Sequence, residues 1–301
     1  MKRLIRVGSR ESKLAVTQTQ SIINIIKTHH PELEFEIVTM KTSGDMILDR
    51  NLDEVGGKGL FVKELDIGLR SGQIDFAVHS LKDMPMLTPE DLPVVSLSVR
   101  ENPYDALVLP RKAGEVDLTK PFGCSSARRK LQLERLYPGI AVKGIRGNVL
   151  LRLQKVDSGD YAATILACAG LNRMGLQHRI SKVFTEKDMI PAAGQGILAI
   201  QARAGEDHTY LRCVNDPASQ IAFSAERAFV RRLDGGCSSP IAAYAKISGG
   251  QVILHGLHYD EETGRHAVGV MEMPVAEAEK LGITLAEQLL AKLSSAKGAV
   301  I

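Results

Sequence analysis

Arginine side chains are concentrated in one part of the sequence, between residues 123 and 152. Seven basic residues stand there against a single acid, Glu134, so the stretch carries +6 while the whole chain carries only +3. The planar guanidinium of arginine suits bidentate binding of carboxylate or phosphate. The stretch therefore predicts a site for a small anion with several charged groups. Its basic residues are Arg128, Arg129, Lys130, Arg135, Lys143, Arg146 and Arg152.

Nucleic acid is the first alternative partner for such a concentration of positive charge. The chain has no tryptophan, and aromatic residues make up only 4% of it. Base stacking needs aromatic platforms close to the basic groups. The composition therefore favours a small polyanionic ligand over DNA or RNA.

Three other short motifs contain residue types used in catalysis, and each is weak when taken alone. The segment 79–83 holds His, Ser and Asp, yet the GxSxG pattern of a serine nucleophile is absent. Gly56–Gly59 contains Lys58 but does not match the Walker loop that binds phosphate. Cys237 follows two glycines, so it is either an ordinary loop or core cysteine or a nucleophile.

The composition also limits the class of protein. The four cysteines are widely spaced and never form a CxxC pair, so neither a zinc site nor a disulfide framework is predicted. The hydrophobic fraction is 44%, and no apolar run approaches the roughly 20 residues that span a bilayer. We expect a cytoplasmic protein without a metal.

The first hundred residues alternate between strand-like and helix-like patterns. Leu4–Val7 is a short apolar strand, and the apolar spacing after Ser12 predicts a helix that ends before Pro31. Further strands are predicted over 33–37 and 74–78. This alternation is typical of a parallel sheet with helices on both faces.

Ligands of such sheets bind beyond the carboxyl ends of the strands. Ser9–Ser12 and Ser80–Asp83 both fall at those ends. A second α/β unit is predicted after Pro103, where the segment 122–126 leads into a helix that opens like the first one. Two helix N-termini, with their free backbone N–H groups, would then be available to anions.

The remainder of the chain predicts a different, smaller unit. A Gly-rich turn over 191–196 leads into a strand, and Asp216-Pro217 starts a helix that ends at Gly235. Three strand-like runs over 241–247, 252–258 and 266–273 predict an antiparallel sheet. A capping box over 284–287 is expected to open the terminal helix.

Taken together and in order, these motifs resemble the porphobilinogen deaminase family along nearly the whole chain. The matching stretches are VGSRESKLAVTQ (7–18), ILD (47–49), VGGKGLFVKEL (55–65), AVHSLKDMP (77–85), CSSARR (124–129), IRGNVLLRL (145–153), AGLNRMGL (169–176), PAAGQG (191–196), SAERAF (224–229) and GGCSSPIAAYA (235–245). Departures are small: Cys124 stands where the family commonly has Thr, and two serines follow Cys237.

The resemblance implies an α/β fold with two domains similar to type II periplasmic binding proteins and a third, small α+β domain with a three-stranded antiparallel sheet. The expected boundaries are 1–98 with 195–214, then 102–190, then 216–301. It also implies a monomer.

The activity implied by the resemblance is that of a transferase in tetrapyrrole (haem) biosynthesis. Such enzymes join four porphobilinogen molecules head to tail, release ammonia each time and liberate hydroxymethylbilane. Chain growth starts on a dipyrromethane cofactor, which the resemblance implies is held by Cys237 through a thioether.

Site residues are likewise implied by the resemblance. Every ring carries two carboxylates, which are costly to bury unpaired, so several arginines are expected around them. The residues expected to bind the cofactor are Cys237, Lys82, Asp83, Ser126, Arg128, Arg129 and Arg152. Those expected to bind substrate are Arg10, Ser12, Gln18, Lys58, Arg146, Arg173 and Gln195.

Asp83 is predicted to be the catalytic acid and base. Loss of ammonia leaves a cation whose charge is shared with the pyrrole nitrogen, and a fixed carboxylate would stabilise that charge. The same carboxylate could assist proton transfer. The alternative from another class is a non-catalytic polyanion-binding receptor of the periplasmic-binding-protein type. We expect no nucleic acid or membrane partner.

Overall fold

The computed structural model describes residues 4–46, 62–235 and 240–295. Its strands form three sheets, and helices are interspersed between them. The strands are Leu4–Arg10 (β1), Glu34–Met40 (β2), Phe76–Ser80 (β3), Val94–Leu97 (β4), Asp105–Val108 (β5), Phe122–Gly123 (β6), Val142–Lys143 (β7), Ala163–Ala167 (β8), Lys182–Phe184 (β9), Leu198–Ala202 (β10), Ala242–Ser248 (β11), Gln251–Asp260 (β12) and Arg265–Pro274 (β13). The helices are Lys13–His29 (α1), Ser43–Met46 (α2), Lys63–Arg70 (α3), Ala127–Leu136 (α4), Val149–Asp157 (α5), Cys168–Arg173 (α6), Pro217–Arg232 (α7) and Ala278–Ser295 (α8). Short 3-10 helices cover Leu81–Asp83, Gln177–Arg179, Thr209–Val214 and Val275–Glu277.

The first sheet has the strand order β2-β1-β3-β10-β4. Strand β1 pairs in parallel with β2 and β3, as the alternating pattern predicts, but β10 runs antiparallel to both β3 and β4. The parallel direction predicted for the strands of the first hundred residues is confirmed, since β4 also runs in the same direction as β3, and the antiparallel strand β10 comes from later in the chain. Strand β10 enters the sheet from the turn at Gly194 and Gly196 rather than from a crossover helix, so nothing imposes the parallel direction.

The second sheet has the order β7-β6-β8-β5-β9 and is also mixed. Strand β5 lies between β8 and β9 and is antiparallel to both. Asp105 opens this strand and is opposite Ala167 on one side and Phe184 on the other. At one edge of this sheet the short strand Val142–Lys143 pairs in parallel with β6.

The third sheet, β11-β12-β13, is antiparallel and packs against helices α7 and α8. Phe229, Leu285 and Leu289 are fully buried in the core between them. Gly256 lets the Phe229 ring approach β12, since a Cβ at that position would lie 2.6 Å from the ring. Burying such side chains is the main stabilising term for this small unit.

The terminal helix begins earlier than the capping box predicts. It starts at Ala278, and Thr284 lies inside it, where its hydroxyl donates to the Lys280 carbonyl at 2.8 Å. The prediction that the helix opens over 284–287 is wrong because the preceding residues already pack on the core. Ala278 and Leu281 are buried there.

The predicted fold class is confirmed: two α/β parts, each built on a five-stranded sheet, are followed by an α+β part with a three-stranded antiparallel sheet. Each of the two larger sheets carries helices that return the chain between parallel strands. Among the described residues, no helix combines the length and apolar character needed to cross a bilayer.

Candidate active site

Two serines of the predicted site cap the helices that open beside the sheet ends. The hydroxyl of Ser12 accepts from the Ala15 N–H at 3.2 Å at the start of α1. Ser126 accepts from the Arg129 N–H at 3.5 Å at the start of α4. Each cap satisfies one helix donor and leaves other N–H groups of the first turn available to an anion. The two predicted helix N-termini are thus present in the structure.

Three predicted residues meet in a small cavity at the carboxyl ends of β1 and β3. Arg10, Gln18 and Asp83 line this cavity, whose volume of about 20 Å³ is enough for about one water molecule. Gln18 donates to the Ser80 hydroxyl at 3.1 Å, which fixes the amide beside the cavity. Helix α1, strand β3 and the 3-10 helix at Leu81–Asp83 therefore converge on one point.

His79 also lines this cavity, although the sequence analysis assigns it no role. Burial lowers its pKa to about 4, so the ring is neutral at neutral pH. Its Nε2 atom is buried without a hydrogen-bond partner among the described residues. Its position directly before the Ser-Leu-Lys-Asp segment is the signal in the sequence that could have identified it.

A second cluster is built around Asp105, a residue that the sequence analysis misses. Arg129 donates to Asp105 Oδ1 through Nε at 3.1 Å and Nη2 at 2.7 Å. Arg128 Nη1 lies 2.8 Å from Asp105 Oδ2 and also donates to the Ile190 carbonyl. Although burial alone would raise it, the two arginines hold the pKa of Asp105 well below its ordinary value.

Gln195 connects this cluster to the segment that carries Asp83. Its amide nitrogen donates to Asp105 Oδ1 at 3.0 Å, and its oxygen accepts from Lys82 Nζ at 3.1 Å. Burial lowers the pKa of Lys82 to about 8, although Asp83 opposes the shift. The contact joins the first sheet region to the second.

Arg152 and Arg146 lie close enough to affect each other. Burial, then repulsion from Arg129 and Arg146, lowers the pKa of Arg152 to about 10. The Arg152 Nε donates to the Gly147 carbonyl at 2.8 Å. Because Arg129 repels Arg152, these arginines form one electropositive region.

Arg173 lies at the end of α6, where it contacts the same Gly-rich turn that holds Gln195. Its guanidinium donates to the Gly196 carbonyl at 2.6 Å. Burial lowers the pKa of Arg173, and Glu101 acts in the opposite direction. The turn at 191–196 is therefore held by side chains from both α/β parts.

The balance of charge in this region favours an anionic ligand. Lys82, Arg128, Arg129 and Arg152 interact electrostatically with the carboxylates of Asp83 and Asp105, which leaves positive charge in excess. Buried cations without equal counter-charge favour a bound anion. A group with several carboxylates, such as the dipyrromethane expected from the resemblance, fits this donor set. No cluster of His, Cys, Asp and Glu suited to a metal occurs within 4–46, 62–235 and 240–295.

Two predicted site residues, Lys58 and Cys237, lie outside the described residues. Helix α7 ends at Arg232, so Cys237 follows that helix in the sequence as predicted. Cys124 is buried, and its thiol lies 3.6 Å from the Ser126 carbonyl. The thiol therefore occupies the start of α4 beside the arginine pair.

Comparison with known proteins finds one family over almost the whole chain. Residues 5–211 match the family described as "Porphobilinogen deaminase, dipyromethane cofactor binding domain", and residues 221–291 match "Porphobilinogen deaminase, C-terminal domain". The chain is similar to porphobilinogen deaminase of Acetivibrio thermocellus, with 51% identity over 95% of this chain and 98% of that protein. It is also 50% identical to porphobilinogen deaminase of Alkaliphilus oremlandii, over 95% of this chain and 96% of that protein.

Among solved structures, the chain is similar to the Bordetella pertussis BvgS periplasmic VFT2 domain. The TM-score is 0.39 at 19% identity, over 70% of this chain and 84% of that chain.

Proposed function

Since the chain belongs to the porphobilinogen deaminase family, we propose that its electropositive region performs the family's reaction with Asp83 as the catalytic residue. The enzyme is a transferase that polymerises four porphobilinogen molecules into hydroxymethylbilane on a dipyrromethane cofactor. The observation that carries the assignment of the site is the cluster of Lys82, Arg128 and Arg129 around Asp105. Asp83 follows Lys82 in the same 3-10 helix and interacts electrostatically with Arg129. Such a cluster supplies both carboxylate binding and an acid-base group in one place.

Cys237 is proposed to hold the cofactor through a thioether, while the cationic cluster binds its carboxylates. Lys82, Ser126, Arg128, Arg129 and Arg152 are the residues proposed for that contact, and the excess of positive charge around Asp105 supports them. When bound, the dipyrromethane supplies the pyrrole carbon to which the first substrate is joined. Arg128 and Arg129 remain fixed by Asp105 and by main-chain carbonyls, so their ordering costs little on binding.

Substrate carboxylates are proposed to bind on the other side of Asp83. Arg10 and Gln18 line the cavity that Asp83 also lines, which supports their role. Arg146 and Arg173 are proposed to bind further substrate carboxylates, with Ser12, Gln195 and Lys58 assisting. A porphobilinogen whose two carboxylates are bound by these residues would present its pyrrole N–H toward the Asp83 carboxylate.

Asp83 would act in two ways as ammonia leaves porphobilinogen. Its negative charge stabilises the positive charge that develops on the pyrrole nitrogen. Its oxygen atoms can also accept a proton from the ring carbon that has been attacked, and that proton can then pass to the amine that departs in the next addition. Because Asp83 is held in a short 3-10 helix between buried Leu81 and Met84, its carboxylate has a fixed position.

The remaining features of this proposal concern the whole protein. We propose a cytoplasmic monomer that acts on free porphobilinogen and has no nucleic-acid or membrane partner. The proposed domains are 1–98 with 195–214, then 102–190, then 216–301. The grouping of β10 with β1 and β3 in one sheet supports the discontinuous first domain.

Intact-mass spectrometry of the purified protein tests this proposal. The wild type is expected to carry the added mass of two deaminated porphobilinogen units, because the cofactor is built from substrate and stays attached. Cys237→Ser is expected to have the unmodified mass. Cys213→Ser is a matched control that should retain the adduct, since its half-buried thiol is engaged by the Tyr210 carbonyl in a separate 3-10 helix.

An unmodified wild type that also gains no mass when incubated with porphobilinogen would contradict the proposed attachment. An adduct that persists in Cys237→Ser would move the thioether to another cysteine. A protein that binds porphobilinogen and releases it unchanged would favour the receptor alternative.

A further inference from the structure

Asp105 occupies the most constrained position in the cationic region. It is the first residue of β5, and its backbone is paired with β8 and β9 on its two sides. Its side chain is 0% exposed. A carboxylate buried on a strand between two others cannot move toward solvent, so its charge must be met by the groups around it.

Those groups come from two separate segments. Arg128 and Arg129 belong to the first turn of α4, and both place a guanidinium nitrogen within 2.8 Å of an Asp105 oxygen. Gln195 comes from the turn before β10 and donates to the same carboxylate at 3.0 Å. Second contacts with the Ile190 and Ile165 carbonyls fix the planes of the two guanidinium groups.

The arrangement also reaches Lys82. The Gln195 oxygen accepts from Lys82 Nζ at 3.1 Å while its nitrogen is held by Asp105 and by the Pro103 carbonyl. With both ends of the amide committed, its orientation is set by Asp105 together with the Pro103 carbonyl. The charged groups that act on Lys82 are Asp83, Arg129, Asp105 and Arg128.

We propose that Asp105 is a positioning residue of the reaction: it fixes Arg128 and Arg129 directly, and Lys82 through Gln195, in the arrangement that receives the cofactor carboxylates. The inference rests on the proposed function of these three cations. Asp105 itself would touch neither cofactor nor substrate, since its side chain is fully buried, Oδ1 accepts from Arg129 and Gln195, and Oδ2 lies 2.8 Å from Arg128 Nη1.

The charge of Asp105 has a consequence that can be measured separately from packing. Its attraction raises the pKa of Lys82, against the burial that lowers it to about 8. Loss of the carboxylate charge would therefore make Lys82 give up its proton at a lower pH. A neutral Lys82 can no longer form an ion pair with a carboxylate. Any step that needs a charged Lys82 would therefore begin to slow at a lower pH than in the wild type.

The test compares Asp105→Asn with Asp157→Asn. Asp157 is a matched control because it also pairs with a buried arginine in the second α/β part, Arg179 at 2.7 Å, and none of its contacts belongs to the site. Cofactor-free forms are incubated with porphobilinogen, and adduct formation is followed by intact mass across pH. Steady-state kcat and KM are measured on the loaded enzymes.

For Asp105→Asn we expect adduct formation and kcat to fall by about 10²-fold, the scale of a loss of precise positioning. When adduct formation and kcat are each plotted against pH, the decline on the alkaline side (the alkaline limb) is expected to move to lower pH. Asp157→Asn should lose stability but keep the wild-type rates and the wild-type pH of the alkaline decline. Asp105→Glu keeps the negative charge, so its alkaline decline should lie close to the wild-type pH even if the rate stays low.

The proposal would be overturned if a folded Asp105→Asn protein kept the wild-type rates and the wild-type pH of their alkaline decline. If that variant does not fold, Gln195→Met decides instead, because it breaks the link to Lys82 and leaves Asp105 paired with its arginines. Adduct formation and kcat at wild-type levels in Gln195→Met would then overturn the positioning of Lys82 through Gln195. A wild type that forms no adduct would refute the proposed function itself, whatever Asp105 does.

Discussion

Lys82 and Asp83 are consecutive residues that serve different surroundings. Lys82 donates to Gln195 in the direction of the arginine cluster, whereas Asp83 lines the cavity shared with Arg10 and Gln18. The 3-10 helix that contains them separates their side chains although they are neighbours in sequence. The proposed cofactor contacts and substrate contacts therefore meet at this dipeptide.

Replacement of Asp83 by Asn removes the negative charge and the proton acceptor while keeping the side-chain size. We expect the protein to fold and carry its adduct, with turnover reduced by about 10²- to 10⁴-fold, the range of general acid-base catalysis. Steady-state assays on adduct-bearing protein measure this. Asp117→Asn is the control, since Asp117 is exposed and its side chain contacts Thr119 and Lys120, which have no role in the site. Near-normal turnover in Asp83→Asn would remove this carboxylate from the mechanism.

At the scale of elements, hydrophobic period and turn residues predicted most of the fold. Helix α1 begins after Ser12 and helix α7 after Asp216, as their capping residues indicate. The direction of β10 was beyond such reasoning, because strand direction depends on partners far away in the chain. Strand β10 pairs with β3, whose residues precede it by more than a hundred positions.

The same limit applies to the site. Arginine clusters and capping serines are local features, so the sequence could predict that Ser126 caps the helix that carries Arg128 and Arg129. Asp105 was missed because its partners lie 24 and 90 positions away. Its only local sign is an acid directly before the apolar run Ala-Leu-Val-Leu, which places a charge at the mouth of a buried strand.

Glu226 of helix α7 joins several elements and is fully buried. It pairs with Arg100 at 2.8 Å and accepts the backbone N–H groups of Gly194 and Ala245. Glu226→Ala would leave the Arg100 charge uncompensated, so we expect the free energy of unfolding to fall by about 3–5 kcal/mol. Urea denaturation followed by circular dichroism measures this loss.

The control for this change is Glu287→Ala in helix α8. Glu287 pairs with Arg232 on the surface, where both side chains are about half exposed, so its loss should cost no more than about 1 kcal/mol. Equal losses in the two variants would show that the buried pair does not hold helix α7 to the Gly-rich turn.

At the scale of the whole molecule, the +6 stretch is not a surface patch. Arg128 and Arg129 are only 5% and 7% exposed, and Arg152 is partly buried beside them. Its exposed charges are Lys130, Arg135 and Lys143, with Glu134 among them. A small ligand that enters the electropositive region can contact the buried arginines, whereas a nucleic-acid backbone contacts the less positive outer surface.

This distribution predicts no appreciable binding of DNA at physiological ionic strength. A short fluorescein-labelled single strand is expected to show unchanged anisotropy there, because few phosphates can be neutralised and salt screens the remainder. Residual binding at low salt should weaken in Lys130→Glu, an exposed position, and stay the same in Arg129→Gln. If DNA instead binds tightly at physiological salt and Arg129→Gln abolishes that binding, the electropositive region accepts a phosphate backbone. The buried arginines would then have to be assigned to nucleic-acid binding.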